Sequence, residues 1–87
     1  MKNYDIELHP SALKQLKKLS DSEYKSIYKD LIKLKENPRP HGSLKLKGNI
    51  HRIRVGNWRV IYTIFDHLVL ITVIDILRRN ERTYRNI

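Results

Sequence analysis

Apolar residues alternate with polar ones at Tyr4, Ile6 and Leu8, so residues 2–8 predict a half-buried strand. His9-Pro10 ends it, and a proline suits the first turn of a helix because its missing N–H would have no partner there. The period then changes. Over residues 10–19, Leu13 and Leu16 fall on one side with Ala12 and Leu19 beside them, the spacing of a short amphipathic helix. Ser20-Asp21-Ser22-Glu23 matches the S-x-x-E capping box, in which a hydroxyl and a carboxylate each satisfy a backbone N–H, so a second helix starts here. Tyr24, Ile27, Tyr28, Leu31 and Leu34 recur at helical spacing along it, until Pro38 and Pro40 bar continuation. Two consecutive amphipathic helices form a hairpin that needs a sheet to cover.

Beyond the loop 37–42 the period returns to two. Leu44–Lys47 reads as a short strand closing at Gly48-Asn49, and Ile50–Val55 as a clear one. Gly56-Asn57 separates it from the next strand, Trp58–Phe65, by the two residues of a tight hairpin. After a turn at Asp66-His67, Leu68–Ile76 reads as a fully apolar central strand, followed by a short, basic and partly helical tail, LRRNERTYRNI. The order β-α-α-β-β-β-β predicts one α+β domain over residues 1–87. A helical hairpin packs on one face of a mostly antiparallel sheet.

Composition narrows what such a domain does. A chain of 87 residues supports a modest core, and the lack of cysteine leaves no disulfide or thiolate metal site to reinforce it. The first residues, MKNYDIELHPSALK, carry no apolar run of signal-peptide length. The longest apolar stretch, Leu68–Ile74, is interrupted by Thr72 and is too short for a bilayer. A soluble, cytoplasmic protein without a membrane partner is expected.

Charge adds direction. Lys and Arg number 18 against nine Asp and Glu, a net +9. Residues 41–62 hold Lys45, Lys47, Arg52, Arg54 and Arg59 and no acid at all. Elsewhere acids offset much of the basic charge, as on any solvated helix face. Unbalanced arginines on strands want an external polyanion, and nucleic acid is the leading one. Alternation sharpens this. If the helices cover Ile53, Val55, Val60 and Tyr62, then Arg52, Arg54 and Arg59 share the open face of a hairpin. Three such cations repel one another. An anionic ligand accounts for the cluster; a purely structural role does not.

The same residues carry a resemblance. Leu46-Lys47-Gly48 followed by His51-Arg52-Ile53-Arg54-Val55-Gly56-Asn57-Trp58-Arg59-Val60-Ile61-Tyr62 resembles the L-x-G … Y-R-I-R-V-G-D-Y-R-V-I-Y signature of RelE/ParE-family toxins. Arg78-Arg79 and Tyr84-Arg85 are similar to the family's closing basic pair and tyrosine, and the likeness extends over nearly the whole chain. The resemblance implies a type II toxin held inactive by a co-expressed, RelB-like antitoxin, through an acidic or amphipathic segment. In the RelE branch such toxins enter the A site of the 70S ribosome and cut messenger RNA without a metal or other cofactor. The 2′-OH of one ribose attacks the adjacent phosphate.

Carried over residue by residue, the catalytic set falls on Arg52, Arg54, Arg59, Arg79 and Tyr84. Lys45, Lys47, Arg78, Arg82 and Arg85 fall on the surface for RNA and ribosome. An arginine fork grips phosphate bidentately, and a tyrosine ring can stack a splayed base. Where the best-known RelE members have lysines, this chain has Arg52 and Arg54, and arginine is a poor proton acceptor. The rival ParE branch shares the fold but poisons DNA gyrase and cuts no RNA; a third reading is a plain RNA-binding relative. Retention of Arg52, Arg54, Arg59 and Arg79 together favours the RelE branch.

Other chemistry-bearing residues read as structural. His51 alternates with Arg52 and so joins Ile53 on the packed face; His9, His41 and His67 fall in turns or loops. Trp58, opposite in phase to Arg59, belongs to the core. Asp66 and Asp75 lie too far apart in pattern for a metal pair, so no metal site is expected.

Overall fold

The computed structural model of the chain describes residues 3–78. Its elements are β1 (Asp5–Leu8), α1 (Pro10–Lys17), α2 (Asp21–Glu36), β2 (Leu44–Lys47), β3 (Ile50–Val55), β4 (Trp58–Phe65), one turn of 3-10 helix (Asp66–Leu68) and β5 (Leu70–Arg78).

Local chemistry explains the boundaries. His9 caps α1, its Nδ1 accepting from the Ser11 N–H at 3.3 Å, with Pro10 in the first turn. The capping box of α2 is complete: Ser20 Oγ accepts from Glu23 N–H and Glu23 Oε1 accepts from Ser20 N–H. Asp21 and Glu23 sit in its first turn and Lys33 and Lys35 in its last, the charge order that the helix dipole favours. Asn37 leaves α2 in extended backbone, as a residue before proline must.

The five strands order as β1-β5-β4-β3-β2. Every pairing is antiparallel except that of β1 with β5, so the chain crosses over through both helices. The centre is β4, while β5 is an interior strand between β1 and β4. α1 lies over β5, and α2 reaches β1 and β3. Between helices and sheet sit Ala12 and Leu16 of α1, Ile27, Leu31 and Leu34 of α2, and the inward residues of β3, β4 and β5. Tyr62 is fully buried there and donates its hydroxyl to the Pro38 carbonyl at 2.7 Å, tying the loop after α2 to the central strand.

Three expectations are corrected. The first strand is shorter than residues 2–8 suggested, beginning at Asp5. The last starts at Leu70, because the turn continues as 3-10 helix through Leu68. The apolar stripes of the helices are also narrower than their spacing implied. Leu13 is exposed, and Tyr24 and Tyr28 are 43% and 53% exposed, stacked on each other with ring centroids 6.1 Å apart. A tyrosine pair four residues apart supports a helix from outside as well as from the core.

One residue is strained. Val69, between the 3-10 turn and β5, has φ 51° and ψ 47°, the left-handed region, where a β-branched side chain costs about 1–2 kcal/mol. Its carbonyl accepts from Asp5 N–H at 2.9 Å, so the conformation also starts the β1–β5 pairing. Val69→Gly is expected to raise unfolding stability by about 0.5–1 kcal/mol, less than the full strain because glycine is freer in the unfolded chain. Urea unfolding of both forms measures it. An unchanged midpoint would mean that the valine's packing offsets the strain.

Candidate anion-binding face

The sheet has two faces with different fates. Trp58, Val60, Tyr62 and Ile64 of β4 enter the core, so Arg59, Ile61, Thr63 and Phe65 face the other way. Cross-strand register then fixes the neighbours. Arg54 is directly opposite Arg59, and Arg52 is opposite Ile61. The three arginines expected to share the open face therefore do, in two adjacent rows. Directly opposite side chains have Cβ atoms about 4.5–5.5 Å apart, close enough for two guanidinium groups to grip one phosphate.

Their electrostatics are unfavourable without a ligand. Burial, and then the charges of Arg54 and Arg59, push the Arg52 guanidinium below the usual arginine value. The Nε atoms of Arg52 and Arg59 are buried with no hydrogen-bond partner among the described residues. An unsatisfied buried donor costs about 1–3 kcal/mol. The contrast with Arg39 is plain. It forms a forked pair with Asp66 (2.9 and 3.3 Å), whose other contact is the Tyr4 hydroxyl at 2.8 Å, and Arg39 holds that carboxyl below its ordinary range. The ion pairs among the described residues are Arg39–Asp66 and Lys33–Asp30, and neither touches the open face. An oxyanion bound across Arg52, Arg54 and Arg59 would supply both the missing acceptors and the missing charge.

The remaining candidates divide. Lys47 pairs with Ile50, which shares the arginine side, whereas Lys45 pairs with the buried His51 and so belongs to the helix side. Arg78 also departs from the open face. It is opposite Trp58, and its guanidinium lies 4.9 Å from the centre of the indole ring. That indole donates to Glu23 Oε2 at 3.0 Å, which together with the capping contacts lowers the Glu23 carboxyl. Trp58 is therefore core, as its phase implied, and so is His51, which stacks on Tyr62 and contacts the Asn49 carbonyl at 3.0 Å. Burial pushes the Tyr62 phenol up to about 12, which removes it from proton transfer near neutrality. Arg79, Arg82, Tyr84 and Arg85, with the helical reading of the tail, lie outside the described residues.

A carboxylate that sequence reasoning set aside joins the open face. Val73 and Ile76 of β5 both enter the core although they are three residues apart. A register shift at Ile61/Tyr62 makes this possible: Tyr62 is opposite Val73 and Ile61 is opposite Asp75, leaving Ile74 as an extra residue. This β-bulge turns Asp75 onto the face that carries the arginines. The signal was present in the sequence, because strict alternation from Ile71 and Val73 would bury a carboxylate in an interior strand. Among the described residues no three His, Asp or Glu side chains are grouped as metal ligands. No described helix is long and apolar enough to cross a membrane. A depression of about 400 Å³ between α2 and β3 reaches Arg54 from the edge, but it does not extend over Arg52 or Ile61.

Comparison with known proteins bears on the fold and the family. Residues 6–83 match the family model described as the ParE toxin of the type II toxin–antitoxin system parDE. Toxin RelE1 of Methanocaldococcus jannaschii is 36% identical over 91 residues, covering 95% of this chain and 97% of the relative. Among solved structures, the RelE–RelB complex from Pyrococcus horikoshii matches with TM-score 0.84 at 24% identity, over 91% of this chain and 98% of that one. The Escherichia coli RelBE toxin–antitoxin complex matches with TM-score 0.77 at 25% identity, over 90% and 99%.

Proposed function

This chain belongs to the RelE/ParE family of type II toxins, and from that premise we propose that it is a metal-independent endoribonuclease cutting messenger RNA in the ribosomal A site. The observation that carries the reading is the trio Arg52, Arg54 and Arg59, gathered on the open face, with the Nε donors of Arg52 and Arg59 buried and unpartnered. Attack of a ribose 2′-OH on the adjacent phosphate builds negative charge on the phosphorane oxygens. Pre-placed forked cations bind that charge more tightly than the ground-state phosphodiester. Arg79 and Tyr84 join this set through the family pattern, Arg79 on phosphate and Tyr84 stacking a base. Lys47, with Arg82 and Arg85, would hold the RNA backbone and ribosome. A cognate antitoxin of the RelB kind, cytoplasmic like the toxin, would supply acidic groups to the same arginines between encounters.

A second reading has its own support, since the matching family model is that of ParE. There the open face would dock on gyrase and no RNA would be cut. Brief expression without the antitoxin separates the two. The nuclease reading expects growth to stop and primer extension to map new 5′ ends inside translated codons. It also expects a small acidic reading frame beside the gene to restore growth when co-expressed. Growth arrest with intact messages and gyrase-dependent DNA breaks would transfer the protein to the ParE branch.

A further inference from the structure

We infer that Asp75 is the general base that takes the 2′-OH proton, an assignment that rests on the ribonuclease reading above. The reaction needs such a group, and the arginines themselves do not supply it. Arginine stays protonated, and His51 and Tyr62 point into the core on the far side of the sheet. Among the described residues the open face offers three carboxylates. Asp5 and Glu7 stand on the edge strand β1, opposite Leu70 and Thr72, and Glu7 is three strands from β3. Asp75 lies in the same cross-strand row as Ile61 and Arg52, one row from Arg59.

The row gives the spacing. Strands about 4.8 Å apart place the Asp75 and Arg52 backbones about 10 Å apart, with apolar Ile61 between them. Ile61 is itself buried, so a ribose and its 3′-phosphate would lie above this row, phosphate towards the arginines and 2′-OH towards the carboxylate. The β-bulge at Ile74 gives this carboxylate its place, and bulges recur beside active sites because they re-aim a side chain. Asp75 is also held: its Oδ1 accepts from the Ile76 N–H at 2.9 Å, and Oδ2 has no partner among the described residues. The charged groups on the sheet face around it are Arg59 on β4, Arg52 beyond Ile61, and Glu7 on β1; α1 packs on the opposite side of β5.

In the reaction Oδ2 accepts the 2′ proton as O2′ forms its bond to phosphorus. The bond from phosphorus to O5′ of the next nucleotide breaks, and O5′ takes a proton from solvent. Asp75 then returns its own proton to solvent. The products are a 2′,3′-cyclic phosphate and a free 5′-hydroxyl, with no water consumed.

Asp75→Asn tests this, because the amide oxygen can still accept from Ile76 N–H while the proton acceptor is lost. On programmed ribosomes, kcat should fall about 10²–10⁴-fold, the usual worth of a general base, with KM changed less than about threefold. The acidic limb of the kcat–pH profile should disappear, and the unfolding midpoint should stay at the wild-type value. Asp75→Glu should keep part of the activity and the acidic limb. Wild-type kcat and an unchanged pH profile in Asp75→Asn would overturn the assignment. Absence of cleavage by the wild-type protein would overturn the ribonuclease reading itself.

Discussion

A ribosome-bound message with one 2′-deoxy nucleotide at the cut position should bind almost as well as the native message and remain whole. The phosphate contacts that hold the strand are untouched by the substitution, since arginines read phosphate rather than sugar. The nucleophile, however, is gone. If the substrate's own 2′-OH attacks, the enzyme supplies neither an activated water nor a replacement, so no slower path remains within the same site. The native message should be cut equally well in excess chelator, because the proposed charge neutralisation comes from Arg52, Arg54 and Arg59. The fragments should carry a cyclic or 3′-phosphate and a 5′-hydroxyl. Cutting of the deoxy message would defeat this mechanism, and loss of cutting in chelator would replace it with a metal-dependent one.

Arg59→Ala is expected to slow cleavage by about 10²–10³ while leaving the fold intact, the usual loss when one donor to transition-state charge is removed. Arg59 is opposite Arg54 and on the side away from the core, so its removal opens no core cavity. It also removes one of the charges that depress the Arg52 guanidinium, and a buried donor without a partner. The thermal midpoint should therefore hold or rise slightly as activity falls. Arg52→Ala and Arg54→Ala should show a similar loss, part of it in binding. A lysine at position 59 should recover only part of the rate, because a point charge cannot reproduce the bidentate fork. Equal cleavage by Arg59→Ala and wild type would take Arg59 out of the site.

Much of this architecture is legible in the sequence because its two periods are clean. The switch from period two to helical spacing at Pro10, and back at Leu44, follows directly from residue order, as does the two-residue turn at Gly56-Asn57. The open-face placement of Arg52, Arg54 and Arg59 needed only alternation. What could not be read depends on pairing between distant strands. Lys45 and Lys47 look equivalent in sequence, yet the irregular register between them leaves one on each side. Arg78 looked like part of the basic surface, and only the register of β5 on β4 shows it lying over Trp58. The side of the sheet that Asp75 takes was not legible for the same reason, because a bulge is a property of two strands together. Tyr24 and Tyr28 were misjudged differently: helical spacing identifies an apolar stripe but not its width.

The single sheet that parts the arginines from the core has a consequence for how such toxins diversify. Along β3 and β4, alternate positions face the core and the arginine side, so the demands of folding and of surface charge fall on different residues. Replacements at 52, 54 or 59 would alter the charged side without disturbing Ile53, Val60 or Tyr62, which hold the molecule together. A lineage can therefore drift from one victim to another by revising alternate codons, with no passage through an unfolded ancestor. Two branches that share a scaffold and attack unrelated machinery are what such a partition allows.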